Sequence, residues 1–156
     1  GLNERDKRLA QHSLCLGVVM DELNDKPGIG DFLIRNIISA DPRSGSLVIG
    51  ELLKEGQTVQ FHLRDAETSG QDLEAILNEY VSKEPNFEDS GALLFSCLGR
   101  GIHLYGKPNH DTDMFKNKIG EIPLTGFFCN GEIGPVGGTT FLHGYTSSFG
   151  IFKPKS

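Results

Sequence analysis

The sequence predicts one mixed α/β domain of the α+β class, in which a single mixed β-sheet packs against a few helices. Three observations predict it. Short apolar runs are separated by Gly- and Pro-rich turns, residues 57–64 alternate apolar and polar side chains, and two later segments have helical apolar spacing. A length of 156 residues suits one domain with one core, and the sequence contains neither an internal repeat nor a long linker.

The first half of the chain is predicted to begin with a polar arm at residues 1–13, which precedes a domain over residues 14–156. Asp41 to Gly45 carries the Pro and Gly of a hairpin turn. In the alternating segment, Val59, Phe61 and Leu63 form the apolar face of a half-buried strand. The strands predicted here cover residues 13–20, 32–40, 46–52 and 57–64.

The second half is predicted to contain two helices among further strands. The first is capped by Thr68 or Ser69 and runs to Lys83, before Pro85. The second covers residues 111–119 and ends at Gly120. The strands predicted here cover residues 91–98, 123–129 and, after a glycine-rich loop, 139–152.

Charge and cysteine content exclude several classes of function. A net charge of −6 with scattered basic residues disfavours binding to nucleic acid or to an anionic membrane. No apolar run approaches the roughly 20 residues of a membrane helix, and the polar residues 1–8 lack the apolar stretch that is typical of a secretion signal. Three widely spaced cysteines without a CxxC pair favour free thiols in a reducing, intracellular and cytoplasmic setting.

Glycine is the main clue to a functional site, since twelve of the twenty glycines lie from Gly91 onward among most of the candidate polar residues. Glycine lets backbone approach a ligand closely, although the same residues also make tight turns. Neither GxGxxG nor GxxxxGK[ST] occurs, so no nucleotide cofactor is expected.

Arg100 and Glu132 are the charged residues set in these turns. Arg100 can clamp a carboxylate or phosphate of a ligand, or it can pair with an internal acidic residue. Glu132 can receive an ammonium group, or it can pair with an arginine. The leading hypothesis is that Arg100 and nearby amides hold an anionic group while Glu132 orients a cationic one, in one shared hollow.

Three alternative interpretations involve the remaining polar residues. Cys97 beside Arg100 can be a reactive thiolate, although no base partner is evident and no catalytic residue is assigned. Asp111 can cap the second helix. A zinc site is conceivable but is not assigned, because its spacing matches no compact pattern; its candidate ligands are Cys97, His103, His110, Cys129 and His143.

Five strings in order resemble the C-terminal half of FIST (F-box and intracellular signal transduction) proteins: GDFLIRNI, GQTVQFHLRDA, LLFSCLGRG, GFFCNGEIGPVGG and FLHGYTSS. The resemblance implies a sensory domain that binds a small ligand such as an amino acid or derivative, beside an upstream N-terminal FIST half. In eukaryotic members it implies an F-box outside this chain, an adaptor of a cullin-based ubiquitin ligase and a role in substrate recognition. The ligand-binding residues that it implies are Cys97, Gly99, Arg100, Gly101, Gly131, Glu132, Gly134, His143 and Thr146.

Overall fold

The computed structural model describes residues 1–136 and 138–155, and this part of the chain has the predicted α+β composition. Its helices are α1 (Glu4–Ser13), α2 (Ala66–Lys83), α3 (Ile102–Tyr105) and α4 (His110–Ile119). Its strands are β1 (Leu14–Val19), β2 (Phe32–Asp41), β3 (Ser46–Ile49), β4 (Val59–Leu63), β5 (Gly91–Cys97), β6 (Leu124–Cys129), β7 (Glu132–Val136), β8 (Thr139–His143) and β9 (Ser147–Phe152). None of these helices is long and apolar enough to cross a lipid bilayer.

The strands form three sheets, so the prediction of a single mixed sheet is wrong. Their orders are β3-β2-β1-β4, β6-β5-β9 and β7-β8. The chain also divides into two compact units, Gly1–Asp65 and Ala66–Ser156. Apolar periodicity locates individual strands, but strand pairing depends on contacts between segments that are distant in sequence, and the pattern does not contain those contacts.

In the first unit, β1 is the central strand, paired antiparallel with both β2 and β4. This position explains its continuous apolar sequence, since Cys15, Leu16, Val18 and Val19 are all buried. The segment predicted as a polar arm contains helix α1, which buries no side chain. Asn3 caps it by accepting a hydrogen bond from the amide of Asp6 at 2.8 Å.

The β2–β3 hairpin and strand β4 confirm the predicted strands with two differences. β3 ends at Ile49, three residues before the predicted end. In β4 the expected apolar face is exposed, with Val59 at 43% and Phe61 at 56% relative accessibility. His62 is more enclosed than Phe61, because its ring lies over Gly17 of β1 and against Phe32 of β2.

The core of the second unit lies between α2, α4 and β5. Its buried side chains are Leu73, Leu77, Ala92, Phe115 and Ile119. Both predicted helices are present, but the predicted cap of the first is wrong, because α2 begins at Ala66 and contains Thr68 and Ser69. α4 ends at Ile119 before Gly120, whose φ is +108°. The short helix α3 was not predicted, because it lies inside the glycine-rich turn after β5.

The last third of the chain differs most from the prediction. The segment predicted as one strand over residues 139–152 is two strands, β8 and β9, interrupted around Tyr145, whose φ is +61°. The preceding predicted loop contains strand β7, while Gly137 of that loop lies outside the described residues. β5 pairs in parallel with β6 and their carboxyl ends coincide, since Cys97 is in register with Cys129. Loops that follow parallel strands therefore begin at one edge of this sheet.

Candidate functional site

Arg100 is buried at 5% relative accessibility and its guanidinium is engaged by protein groups. Its Nε donates to Oδ2 of Asp111 at 2.7 Å and its Nη2 donates to Oδ1 at 2.9 Å. Its Nη1 donates to Oγ of Ser69 at 3.1 Å and to the carbonyl oxygen of Tyr145 at 2.9 Å. The interpretation of Arg100 as the partner of an internal acidic residue is therefore confirmed, and its interpretation as a clamp for a ligand is wrong.

Asp111 lies in the first turn of α4 but does not cap it. The N-cap residue is Asn109, with φ +61°, and no side chain among the described residues caps this helix end. Burial alone would raise the pKa of Asp111, but hydrogen bonds from Arg100 and His110 and the charge of Arg100 outweigh it, so the pKa is lowered. The capping prediction is wrong because a buried guanidinium competes for the same carboxylate.

His110 extends this buried polar network. Its Nδ1 lies 3.0 Å from Oδ1 of Asp111, and its ring stacks on Tyr105 with centroids 3.5 Å apart. The hydroxyl groups of Tyr105 and Ser69 are 2.9 Å apart. Arg100, Asp111, His110, Tyr105 and Ser69, which we call the Arg100 network, thus join α2, α3 and α4.

A cavity of about 350 Å³ lies beside this network, between the first turn of α4 and strands β5 and β6. Leu94 and Ser96 of β5 line it, as do Leu124 and Phe128 of β6. In register, Leu94 faces Gly126 and Ser96 faces Phe128, so these residues share one face of the sheet. The other lining residues are Gly101, Asn109, His110, Asp111, Thr112, Thr125, Gly126 and Phe127.

Gly101 is the member of the nine predicted site residues that lines this cavity. The sequence gives no signal for Asn109, Thr112 or Thr125, and Phe127 and Phe128 lie within one of the FIST-like strings without a predicted role. A signal for the phenylalanines was present, because two consecutive large apolar residues lie in the strand predicted over residues 123–129, next to the glycine-rich loop. No local pattern connected that strand with Asn109 and Thr112.

A second group of the predicted residues meets at the carboxyl ends of β5 and β6. The amide of Cys97 donates to the carbonyl oxygen of Thr146 at 2.9 Å, and Oγ1 of Thr146 donates to Oε2 of Glu132 at 2.8 Å. A Cβ at Gly99 would lie 2.6 Å from the ring of Tyr145, so a residue with a side chain does not fit there. The structure thus brings Cys97, Glu132 and Thr146 together and places Gly99 beside them.

The remaining predicted residues belong to the β7–β8 hairpin. His143 is in register with Glu132, and its Nε2 lies 3.0 Å from the carbonyl oxygen of Gly134. Gly131 has φ +129°, a conformation that side chains disfavour. Glu132 pairs with none of the arginines in the described part of the chain; it is bound through Thr146.

The candidate thiols and metal ligands are not assembled into one centre. Cys15 and Cys97 are buried, Cys129 is partly exposed, and all three thiols are free. Within residues 1–136 and 138–155, no group of three or more His, Cys, Asp or Glu side chains is arranged to hold a metal ion. His103 is exposed on α3, apart from the histidine of the Arg100 network.

A family model and several relatives match this chain. The family model described as FIST C domain matches residues 2–135. An uncharacterized protein of Mycobacterium bovis is 42% identical over 152 residues, which cover 97% of this chain and 39% of the relative. An F-box/LRR-repeat protein of Arabidopsis thaliana is 34% identical over 115 residues, which cover 72% of this chain and 22% of the relative.

A shorter match, to F-box only protein 22 of Homo sapiens, is 36% identical over 74 residues, which cover 38% of this chain and 18% of that protein. The chain thus spans well under half of the length of the relatives that it matches. Since the family model covers most of its residues, the chain belongs to the FIST C domain family.

Proposed function

We propose that this chain is the ligand-binding part of a FIST-type sensory protein and that it takes a small amino-acid-like molecule into the cavity between α4 and β5–β6, without catalysing a reaction. The main observation that supports this proposal is the cavity. Its volume of about 350 Å³ falls in the lower part of the range of roughly 300–1,000 Å³ for small-molecule sites. Its lining combines apolar side chains with a few hydroxyl and amide groups and the paired side chains of His110 and Asp111, and sites for small molecules favour such a mixture.

The Arg100 network supports a preformed site. It fixes the first turn of α4, one wall of the cavity, through the two hydrogen bonds between Arg100 and Asp111. A wall held before the ligand arrives lowers the entropic cost of binding. The role of Arg100 is therefore to position the cavity wall, and the ligand's own polar groups require other partners.

The first turn of α4 offers such partners. No side chain among the described residues caps this end of the helix, and Asn109 and Thr112 line the cavity. Backbone amides at a helix N-terminus favour a carboxylate. An amino-acid-like ligand would place its carboxylate there and its apolar side chain against Phe128 and Leu94.

The proposal extends to a longer parent protein that would contain this chain. An upstream N-terminal FIST half would be the structural partner and transmit ligand binding, in an intracellular, cytoplasmic protein. Neither nucleic acid nor membrane is among the proposed partners. The supporting observation is the long match to relatives of which the chain covers 39%.

The test is calorimetric or NMR titration of the chain, and of its full-length parent, with a panel of free amino acids. Phe128→Ala removes a cavity wall, and Phe152→Ala is a matched control because Phe152 is 63% exposed on β9 and does not line the cavity. We expect Phe128→Ala to weaken binding by about tenfold or more, and Phe152→Ala to leave it unchanged. Absence of saturable binding to either protein, or equal effects of both variants, would refute the proposal.

A second candidate function is recognition of a protein substrate for a cullin-based ubiquitin ligase. It is favoured by the match to an F-box/LRR-repeat protein over 72% of this chain. A ligase adaptor would then bind through an F-box outside these residues. Affinity capture with the full-length parent should retrieve the adaptor, and removal of an F-box should abolish that capture while a bound target remains. A parent without an F-box would exclude this function.

A further inference from the structure

Glu132 carries a buried carboxylate oxygen without a hydrogen-bond donor. Its Oε2 accepts from Oγ1 of Thr146 at 2.8 Å. Its Oε1 is buried and, within residues 1–136 and 138–155, no group donates to it. A buried carboxylate oxygen without a donor is energetically unfavourable, so the arrangement is suited to an incoming N–H group.

The surroundings of this oxygen favour a cation over a neutral donor. His143 is the cross-strand partner of Glu132, and Phe141 faces Gly134 two positions further along the same side of the hairpin. Nε2 of His143 must donate to the carbonyl oxygen of Gly134, 3.0 Å away, because a carbonyl only accepts. In the neutral ring, Nδ1 of His143 is then an acceptor, and the ring of Phe141 is of a type that attracts cations.

The same features disfavour a metal ion. Calcium and magnesium require several oxygen ligands, and one carboxylate oxygen beside two aromatic rings does not supply them. An alkylammonium group needs fewer partners: a carboxylate oxygen for one N–H, further acceptors for the others and an apolar surface for its methylene groups.

We propose that Glu132, with His143 and Thr146, forms a binding site for the primary ammonium group of a small molecule at the carboxyl ends of β5 and β6. Thr146 holds Oε2, which leaves Oε1 as the acceptor of the carboxylate that an ammonium group would fill. The amide of Cys97 fixes the position of Thr146 through its carbonyl oxygen, 2.9 Å away. None of these four residues lines the cavity described above, so the site does not depend on ligand binding in that cavity.

The experiment is an NMR titration of the chain with n-butylammonium chloride, followed through the backbone amide signals of Glu132, His143 and Thr146. We expect saturable shifts with millimolar affinity. Tetramethylammonium chloride, which has no N–H donor, should bind more weakly by about tenfold, because the proposed contact is a charge-assisted hydrogen bond. Equal binding of both cations would overturn the proposal.

Two variants locate the site. Glu132→Gln removes the charge with little change of shape and should weaken n-butylammonium binding by about tenfold or more. Glu121→Gln makes the same chemical change on an exposed carboxylate paired with Lys116 and should leave binding unchanged. Unaltered binding in Glu132→Gln would refute the site. If that variant does not fold, Thr146→Val is the second test, since it removes the hydroxyl that orients the carboxylate; unaltered affinity there would likewise refute the proposal.

One variant distinguishes the proposed ammonium site from the proposed cavity site. Phe128→Ala should leave n-butylammonium binding intact, whereas it should impair the amino-acid ligand of the cavity. Loss of n-butylammonium binding in Phe128→Ala, with the fold intact, would show that the amine enters the cavity and would overturn the assignment to Glu132.

Discussion

Arg100 and Asp111 form a bidentate ion pair in which both residues are more than nine-tenths buried, with N–O distances of 2.7 and 2.9 Å. The pair joins the turn after β5 to the first turn of α4, 11 positions later in the sequence. Ser69 of α2 and the carbonyl oxygen of Tyr145 bind the same guanidinium. The residue with the strongest sequence signal for ligand binding thus has a structural role in the second unit.

Removing Asp111 should destabilise the chain strongly. Asp111→Ala leaves the buried guanidinium of Arg100 without its counter-ion, and such losses cost about 3–5 kcal/mol. Urea denaturation followed by circular dichroism measures the change. Glu121→Gln, at an exposed ion pair with Lys116, is the control and should not change stability measurably. Similar stabilities for the two variants would contradict a structural role for the Arg100 network.

Stability should depend on pH through His62. Its Nε2 is buried without a hydrogen-bond partner in the described part of the chain, and burial lowers the pKa of His62 below its ordinary value of 6.5. The folded state then binds fewer protons than the unfolded state. The contribution of neutral His62 to the free energy of unfolding is therefore complete above pH 6.5 and is lost as the pH falls below that value.

The free energy of unfolding is measured at about pH 7.5 and at about pH 5, which lie on opposite sides of the ordinary histidine pKa. His62→Phe keeps an aromatic ring beside Phe32 and should flatten the pH dependence. His12→Gln, in the exposed last turn of α1, should leave the pH dependence of stability unchanged. Equal pH dependence in both variants would exclude His62 as the titrating group.

Gly126 should tolerate no side chain. A Cβ at this position of β6 would overlap the backbone carbonyl of Leu94, its partner in the parallel pair. Gly126→Ala should therefore cost about 1–3 kcal/mol or more, as overpacking does. A Cβ at Gly144 meets no atom within 4 Å, so Gly144→Ala is the control for thermal or urea denaturation. A Gly126→Ala variant as stable as that control would contradict the β5–β6 geometry.

The three thiols should react at different rates. Cys129 is partly exposed, whereas Cys15 and Cys97 are buried, and burial raises the pKa of the Cys15 thiol. Alkylation by iodoacetamide, resolved by peptide mass spectrometry, should modify Cys129 first in the folded chain. In denaturant, all three cysteines should react at similar rates. Fast modification of Cys97 in the folded chain would instead support the alternative of a reactive cysteine.

Secondary structure was predictable where one periodicity dominated. The helical spacing that includes Leu73 and Leu77 and the apolar run after Ser13 both correspond to elements of the structure. The segment over residues 139–152 was not predictable as two strands, because the break at Tyr145 depends on a backbone conformation that this residue type disfavours. The enclosure of His62 in β4 was not predictable, because it depends on Gly17 and Phe32, which the pairing of β1 with β4 and β2 places beside its ring.

The sequence by itself determined the α+β class and the family, because these follow from local patterns and from strings read in order. Only the tertiary structure decided that Arg100 pairs with Asp111 and that Asn109 and Thr112 join Phe128 around a cavity. A guanidinium binds a ligand carboxylate and an internal one with the same geometry. Which of them it binds depends on the side chain that folding places beside it, and that side chain comes from another part of the chain.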